Sequence, residues 1–185
     1  MKKFKSSSFN AVMTALLAFL VFSFTACTQQ SPLSPVKNQS EFTILQVGNG
    51  TVLNKLVSAS QLVTTENGGK LEISTDRVQL TLNVLPESVS EDALLTLDME
   101  TQALDMKFGP HGTTFETPAI LNVKAQGVDF SNVSLSNINF YYYNPEIGHW
   151  QVMARDSVIV NQVDGTVELI NGRLPHFSRY AIGAE

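Results

Sequence analysis

Cys27 is the only cysteine in the chain, and its surroundings indicate what its thiol can do. Lysines at positions 2, 3 and 5 precede a mostly apolar run at residues 11–24, and the small residues Thr25 and Ala26 lead into the cysteine. A basic start, a short apolar stretch and a small-residue cleavage site are the parts of an export signal. The thiol therefore lies where a cleaved leader would end, and attachment of a lipid is the chemistry to consider.

The segment Phe24-Thr25-Ala26-Cys27 resembles a lipobox, in which the cysteine takes a diacylglyceryl group and becomes the new amino terminus. The usual residue three before the cysteine is Leu, and here it is Phe24. The apolar run has 14 residues, fewer than the roughly 20 that cross a bilayer. An ordinary secretory signal and a retained anchor are the alternatives. Thr28, in place of Asp, favours the outer membrane in bacteria that have two membranes.

Metal-binding residues are sparse in the sequence. His111, His149 and His176 are too far apart to match known ligand spacings. Asp98 and Glu100 project from one strand face, near the pair at 91–92, and a calcium site there competes with a solvated outer surface, which we favour. We expect no metal and no cofactor.

Aromatic residues gather in the last third of the chain, at Tyr141, Tyr142, Tyr143 and Trp150. Strand alternation places Phe140 and Tyr142 on one face and the other two tyrosines on the opposite face. Tyr141, Tyr143 and Trp150 could stack on a sugar or contact a protein if that face is exposed. Packing against a neighbouring loop is the reading we favour.

Composition sets the domain organisation. We expect a signal peptide at 1–26, an acylated cysteine and flexible tether at 27–41, where Pro32 and Pro35 interrupt a polar segment, and one folded domain at 42–185. The 159 residues after cleavage carry nine basic and seventeen acidic side chains, a net charge of −8. That charge argues against nucleic acid as a partner. A single cysteine allows no internal disulfide.

The elements that position these residues are strands. Residues 78–84 alternate apolar and polar side chains, and so do 95–99. Further strands are expected at 121–124, 139–143, 150–153, 157–160, 167–170 and 178–183. Turn residues separate them at 67–69, 109–110, 144–145, 164–165 and 171–172. Residues 52–63 are ambiguous and could hold a helical turn. The pattern predicts an all-β fold, an antiparallel β-sandwich.

One connection resembles a known family. Two glycines at 68–69, the strand at 78–82 and residues 108–121 (FGPHGTTFETPAIL) are similar to the ZU-five domain, a β-sandwich. The tyrosine strand, Trp150 and the closing residues 176–180 agree, so the resemblance covers residues 68–182. Phe115 is expected in the core, and Pro118, after Thr117, at the start of a strand. Related sandwiches are interaction modules, such as the one in ankyrins that contacts spectrin.

The same resemblance gives His176-Phe177-Ser178 a chemical reading. In some proteins with this domain, a His-Phe-Ser sequence cleaves itself between Phe and Ser. The resemblance would make His176 the base, Ser178 the nucleophile and the Phe177 carbonyl the target. A final strand whose aromatic residues pack into the sandwich is the alternative that we favour, because cleavage here would release only residues 178–185.

The leading hypothesis is therefore a non-enzymatic lipoprotein of the cell envelope, held to the membrane through Cys27, whose sandwich binds a protein or glycan or has a structural role. Its alternatives are self-cleavage at His176 and Ser178, and polysaccharide binding through Tyr141, Tyr143 and Trp150. The partner itself does not follow from the sequence.

Overall fold

Alternation of apolar and polar residues produces antiparallel strands throughout the computed structural model, which describes residues 41–48 and 55–185. The strands are β1 Thr43–Ile44, β2 Gln46–Val47, β3 Leu56–Val63, β4 Gly69–Ser74, β5 Val78–Val84, β6 Ala93–Glu100, β7 Asp105–Gly109, β8 Thr114–Gln126, β9 Val128–Asp129, β10 Ile138–Asn144, β11 His149–Val152, β12 Ser157–Asn161, β13 Thr166–His176 and β14 Arg179–Ala184. A 3-10 turn at Leu135–Asn137 precedes β10. No helix in these two ranges is long and apolar enough to cross a membrane.

Two antiparallel sheets face each other. The larger sheet has the order β11-β10-β14-β7-β6-β3, and β1 pairs with the far end of β14. The smaller sheet has the order β12-β13-β8-β5-β4, and β2 pairs with β9 outside both. Side chains from both sheets form one apolar core, as the predicted all-β sandwich requires.

The core follows directly from strand alternation. In β5, Val78, Leu80, Leu82 and Val84 are buried while the residues between them are not. The same period appears in β6, where Leu95, Leu97 and Met99 face inward. Successive strand residues point to opposite sides of a sheet, so each strand contributes every second residue to the interior.

The predicted strands are present, and two sequence interpretations were wrong. In the segment left ambiguous, residues 56–63 form β3, and residues 52–54 lie outside the described part of the chain. The expected turn at Asn171-Gly172 is absent because β13 continues through it with a shifted register beside β8, and Asn171 takes a left-handed φ of 53°. Pro118 lies within β8 instead of starting it. Its missing N–H is tolerated there because β5 pairs with β8 only from Ile120 onward, and the β13 register shifts beside it.

The chain crosses from the smaller sheet to the larger one between β13 and β14. Phe177 is fully buried in this corner, with ring centroids 4.9 Å from Phe115 and 5.3 Å from Phe108. The buried hydroxyl of Tyr180 donates a 2.7 Å hydrogen bond to the backbone carbonyl of His176. A tyrosine bonded to the backbone a few residues upstream is the tyrosine corner of Greek-key sandwiches. It holds both strands at the crossing.

Removing that hydrogen bond should destabilise the fold. We expect Tyr180→Phe to lower the free energy of unfolding by about 1–3 kcal/mol, since a buried carbonyl loses its donor. Urea denaturation followed by tryptophan emission measures this. Tyr142→Phe is the control, because the Tyr142 hydroxyl makes no hydrogen bond to the described residues and its loss should change little. Equal stability of the two variants would show that the corner bond does not contribute.

Candidate functional site

The His176-Phe177-Ser178 segment is held by backbone hydrogen bonds in the corner. The Phe177 N–H donates to Thr113 at 2.7 Å, and the Phe177 carbonyl accepts from the Gly112 N–H at 3.2 Å. The Ser178 carbonyl accepts from the Phe108 N–H at 2.8 Å. The peptide bond that self-cleavage would break is thus tied to the loop before β8.

The side chains of this segment are arranged for packing. The His176 ring meets Tyr142 edge to face at 4.8 Å, and its backbone carbonyl accepts the Tyr180 hydroxyl. Burial raises the pKa of Tyr180 well above its ordinary value, so this hydroxyl stays protonated as a donor. Ser178 is buried, at 6% exposure, and no hydrogen bond joins its hydroxyl to the His176 side chain.

Self-cleavage of this kind also draws on backbone strain. Among described non-glycine residues, a left-handed φ occurs only at Glu87 and Asn171, and neither belongs to the His176-Phe177-Ser178 segment. The segment therefore has a donor at the target carbonyl but neither a base bonded to the nucleophile nor a strained residue. It resembles a packed corner more than a reactive one.

A second group lies on the outer face of the larger sheet, and we call it the outer aromatic cluster: Phe42, Tyr141, Tyr143, Trp150 and Arg179. Phe42 stacks on Trp150 with centroids 4.4 Å apart and meets Tyr141 edge to face at 4.8 Å. Tyr143 meets Trp150 at 5.3 Å, as their direct pairing across β10 and β11 requires. The cluster joins the residue just before β1 to strands β10, β11 and β14.

Gly183 makes room for Phe42. A Cβ on this glycine would lie 2.6 Å from the phenyl ring and 2.5 Å from the Thr43 carbonyl, closer than real Cβ contacts come. The absent side chain lets β1 and the ring approach β14. As a result Tyr141 is only 3% exposed although it faces away from the core. Burial is the main reason that the pKa of Tyr141 is raised.

Arg179 closes the other side of the cluster. Its guanidinium lies 5.2 Å from the Trp150 ring and 5.7 Å from the Tyr143 ring, within cation–π range. Asp105 accepts from both Nε and Nη2 of Arg179, at 2.9 and 2.7 Å. These hydrogen bonds are the main cause of the raised pKa of Arg179. The charge is therefore fixed in place over the rings.

This geometry bears on the predicted binding residues. Tyr141, Tyr143 and Trp150 do lie together, but Phe42 and Arg179 already occupy ring surface that a sugar would use. Tyr143 and Trp150 keep partial exposure. The cluster thus serves first to fasten the amino-terminal segment to the sheet. Sequence reasoning missed Phe42, Arg179 and Asp105, since each is far along the chain from the tyrosines.

The acidic residues considered for calcium are engaged separately. Asp98 accepts a hydrogen bond from the Ser58 hydroxyl across β3 and β6. Asp92 accepts from the N–H and hydroxyl of Thr65, at 2.8 and 2.9 Å, and these bonds lower its pKa. His111 and His149 are exposed. No group of three metal-binding side chains converges in the part of the chain that the structure describes.

Cys27 lies outside the described residues, so its lipidation stays a prediction. Comparison of the chain with protein-family models, curated proteins and solved structures finds no match. The resemblance to the ZU-five domain likewise stays a prediction.

Truncating Phe42 should loosen the outer aromatic cluster. We expect Phe42→Ala to lower the free energy of unfolding by about 2 kcal/mol, through lost apolar burial and ring contacts. Trp150 is the only tryptophan, so its emission should shift to longer wavelength and its quenching by acrylamide should increase. Val163→Ala, at a side chain that is 94% exposed, is the control. Unchanged quenching in Phe42→Ala would contradict the stacked arrangement.

The corner geometry predicts that the chain remains intact at residue 177. Intact-mass measurement of freshly purified protein should show no product ending at Phe177 and no peptide beginning at Ser178. Ser178→Ala is the control, and its carboxyl terminus should be the same as that of the wild type. A product ending at Phe177 that disappears in Ser178→Ala would establish self-cleavage instead.

Proposed function

We propose that this chain is a lipoprotein of the bacterial cell envelope, cleaved before Cys27, acylated on that cysteine and held to the membrane by the lipid, with the outer membrane favoured. The basic start, short apolar run and Phe24-Thr25-Ala26-Cys27 segment support this proposal. Several acyl chains on one residue anchor a protein stably, because each buried CH₂ contributes ~0.8 kcal/mol and one chain alone binds reversibly.

The sandwich is proposed to be a non-enzymatic interaction domain. The observation that carries this proposal is the apolar interior: in the described residues, the buried polar or charged side chains are Ser88 and Ser178 alone. Acid–base or nucleophilic catalysis uses positioned, partly desolvated polar groups. Apart from these two serines, the polar side chains of the described residues are at least partly exposed, and we propose that the sandwich acts through the surface that they form.

The way the domain begins suits a tethered module. β1 pairs with β14, and Phe42 packs into the outer aromatic cluster, directly after the predicted tether. A force applied to the lipid anchor would therefore be transmitted to the domain through the β1–β14 hydrogen bonds and the stacking of Phe42 on Trp150. This attachment favours a structural use of Phe42 and Tyr141, and we therefore propose a protein partner in preference to a glycan. The net charge of −8 disfavours nucleic acid.

Self-cleavage between Phe177 and Ser178 is the alternative function. The Gly112 N–H on the Phe177 carbonyl is the one contact that favours it, since a donor there would stabilise negative charge on the carbonyl oxygen. The packing of His176 on Tyr142 speaks against it.

Replacing the anchoring cysteine tests the proposed function. Cys27→Ser should remove palmitate labelling and release the protein from the membrane fraction, because the cysteine sulfur is the atom that receives the lipid. The sandwich should remain folded, with wild-type tryptophan emission. Thr28→Ser keeps the thiol and the residues before it, so that variant should stay in the membrane fraction. Continued labelling and membrane retention of Cys27→Ser would refute lipidation at this residue.

A further inference from the structure

Strand β3 ends the larger sheet, and no described strand pairs with its outer side from Leu56 to Leu62; the next even-numbered residue, Thr64, pairs there with Gly68. The Thr101 N–H donates to the Lys55 carbonyl at 2.9 Å. The odd-numbered residues of β3 therefore point their backbone N–H and C=O groups toward β6. Because backbone direction alternates along a strand, the even-numbered residues point their N–H and C=O groups away from the sheet. These are Leu56, Ser58, Ser60 and Leu62. Within the described part of the chain, none of them bonds to another strand.

This edge lacks the features that usually prevent pairing. Lysines, prolines and bulges protect most exposed edge strands. Residues 56–63 (LVSASQLV) contain no charge and no proline, and their pairing with β6 is regular over all eight residues. The edge of the smaller sheet on the same side differs, because β4 carries the ion pair Lys70–Glu72. The two leucines of the β3 edge are 61% and 56% exposed.

The sequence of β3 is complementary to itself. In an antiparallel pair of two β3 strands centred on Ala59, Leu56 lies opposite Leu62 and Ser58 lies opposite Ser60, and each pair occurs twice by symmetry. The open N–H and C=O groups then face one another. With the centre shifted to position 58 or 60, neither leucine lies opposite a leucine of the other strand. Leu94, 59% exposed and directly beside Leu62 on β6, extends the apolar contact.

We propose that β3 is the docking edge for a second copy of this chain, and that two copies join antiparallel about Ala59 into one continuous larger sheet. A two-fold contact of this kind uses the same surface on both partners. The dimer contact would lie at the β3 edge of the larger sheet. Strands β10 and β11, which carry most of the outer aromatic cluster, lie at the opposite edge of that sheet.

Charges at the two ends of β3 suit this arrangement. Lys55 would come near the end of β3 in the second copy, where Thr64 pairs with Gly68 and where Glu66 and Asp92 are exposed. The Thr65 hydrogen bonds keep Asp92 ionised. Each end therefore brings a lysine of one copy close to carboxylates of the other, although the chain as a whole is acidic. Such charges guide the register of a pair more than they strengthen it.

Cysteine crosslinking in intact cells that produce the full chain tests the register. Ala59→Cys places two thiols across the two-fold axis, where Cα atoms of a non-hydrogen-bonded pair lie about 4.5 Å apart. Ser58→Cys and Ser60→Cys are the controls, since each would be offset from its own copy beyond the roughly 7 Å that a disulfide spans. After mild oxidation, Ala59→Cys should give at least about fivefold more covalent dimer than either control. The unmodified chain measures any contribution of Cys27.

A charge exchange in the Ala59→Cys background provides the second test. Leu56→Lys and Leu62→Glu should each reduce the crosslinked dimer by about fivefold, because a charge then faces a leucine twice in the pair. The double variant should restore it, since each lysine faces a glutamate of the other copy. Leu56→Lys also lies beside Glu100 within the chain, so it should fold. Crosslinking of Ala59→Cys no greater than that of the controls, or a double variant as weak as the single ones, would overturn the proposal.

Discussion

The crossing between β13 and β14 is the constraint on which the rest of the structure depends. The chain leaves one sheet at His176 and enters the other at Arg179. Phe177 fills the space between the sheets there, and the Tyr180 hydroxyl donates a hydrogen bond to the His176 carbonyl. With the corner held, β14 lies at the centre of the larger sheet, where it pairs with β1, β7 and β10. Those three strands come from three distant parts of the chain.

The central position of β14 also explains how the amino-terminal segment attaches. Its outer face carries Gly183, whose missing side chain admits Phe42, and Arg179, whose charge is held by Asp105. The outer face of β14 thus receives the ring of Phe42, the residue just before β1. The proposed lipid anchor at Cys27 would connect to the sandwich at this face. The proposed dimer edge at β3 is the opposite end of the same sheet.

The sequence suggested two kinds of chemistry, self-cleavage and stacking on a ligand, and the fold places the residues for each in a different setting. The His176-Phe177-Ser178 segment carries residue types suited to proton transfer and nucleophilic attack. In the corner, the ring of His176 packs on Tyr142 and the serine hydroxyl lacks a bonded base. The tyrosines and Trp150 carry surfaces suited to stacking, and the fold uses part of those surfaces for Phe42. At both places the structure shows packing contacts for these side chains, while self-cleavage and sugar binding stay untested predictions.

The sequence by itself determined the strand periodicity, most of the turns and the all-β class. Alternation and turn preference depend only on residues that are neighbours in the chain, so they can be recognised without the tertiary structure. Phe115, which the motif at residues 108–121 placed in the core, is buried. Local signals failed where distant strands decide the outcome. Asn171-Gly172 reads as a turn, yet β8 accommodates it as an irregularity within β13. Likewise, only the tertiary structure brought Phe42 onto Trp150 and Arg179 onto Asp105, because these residues are separated in the sequence by half of the domain or more.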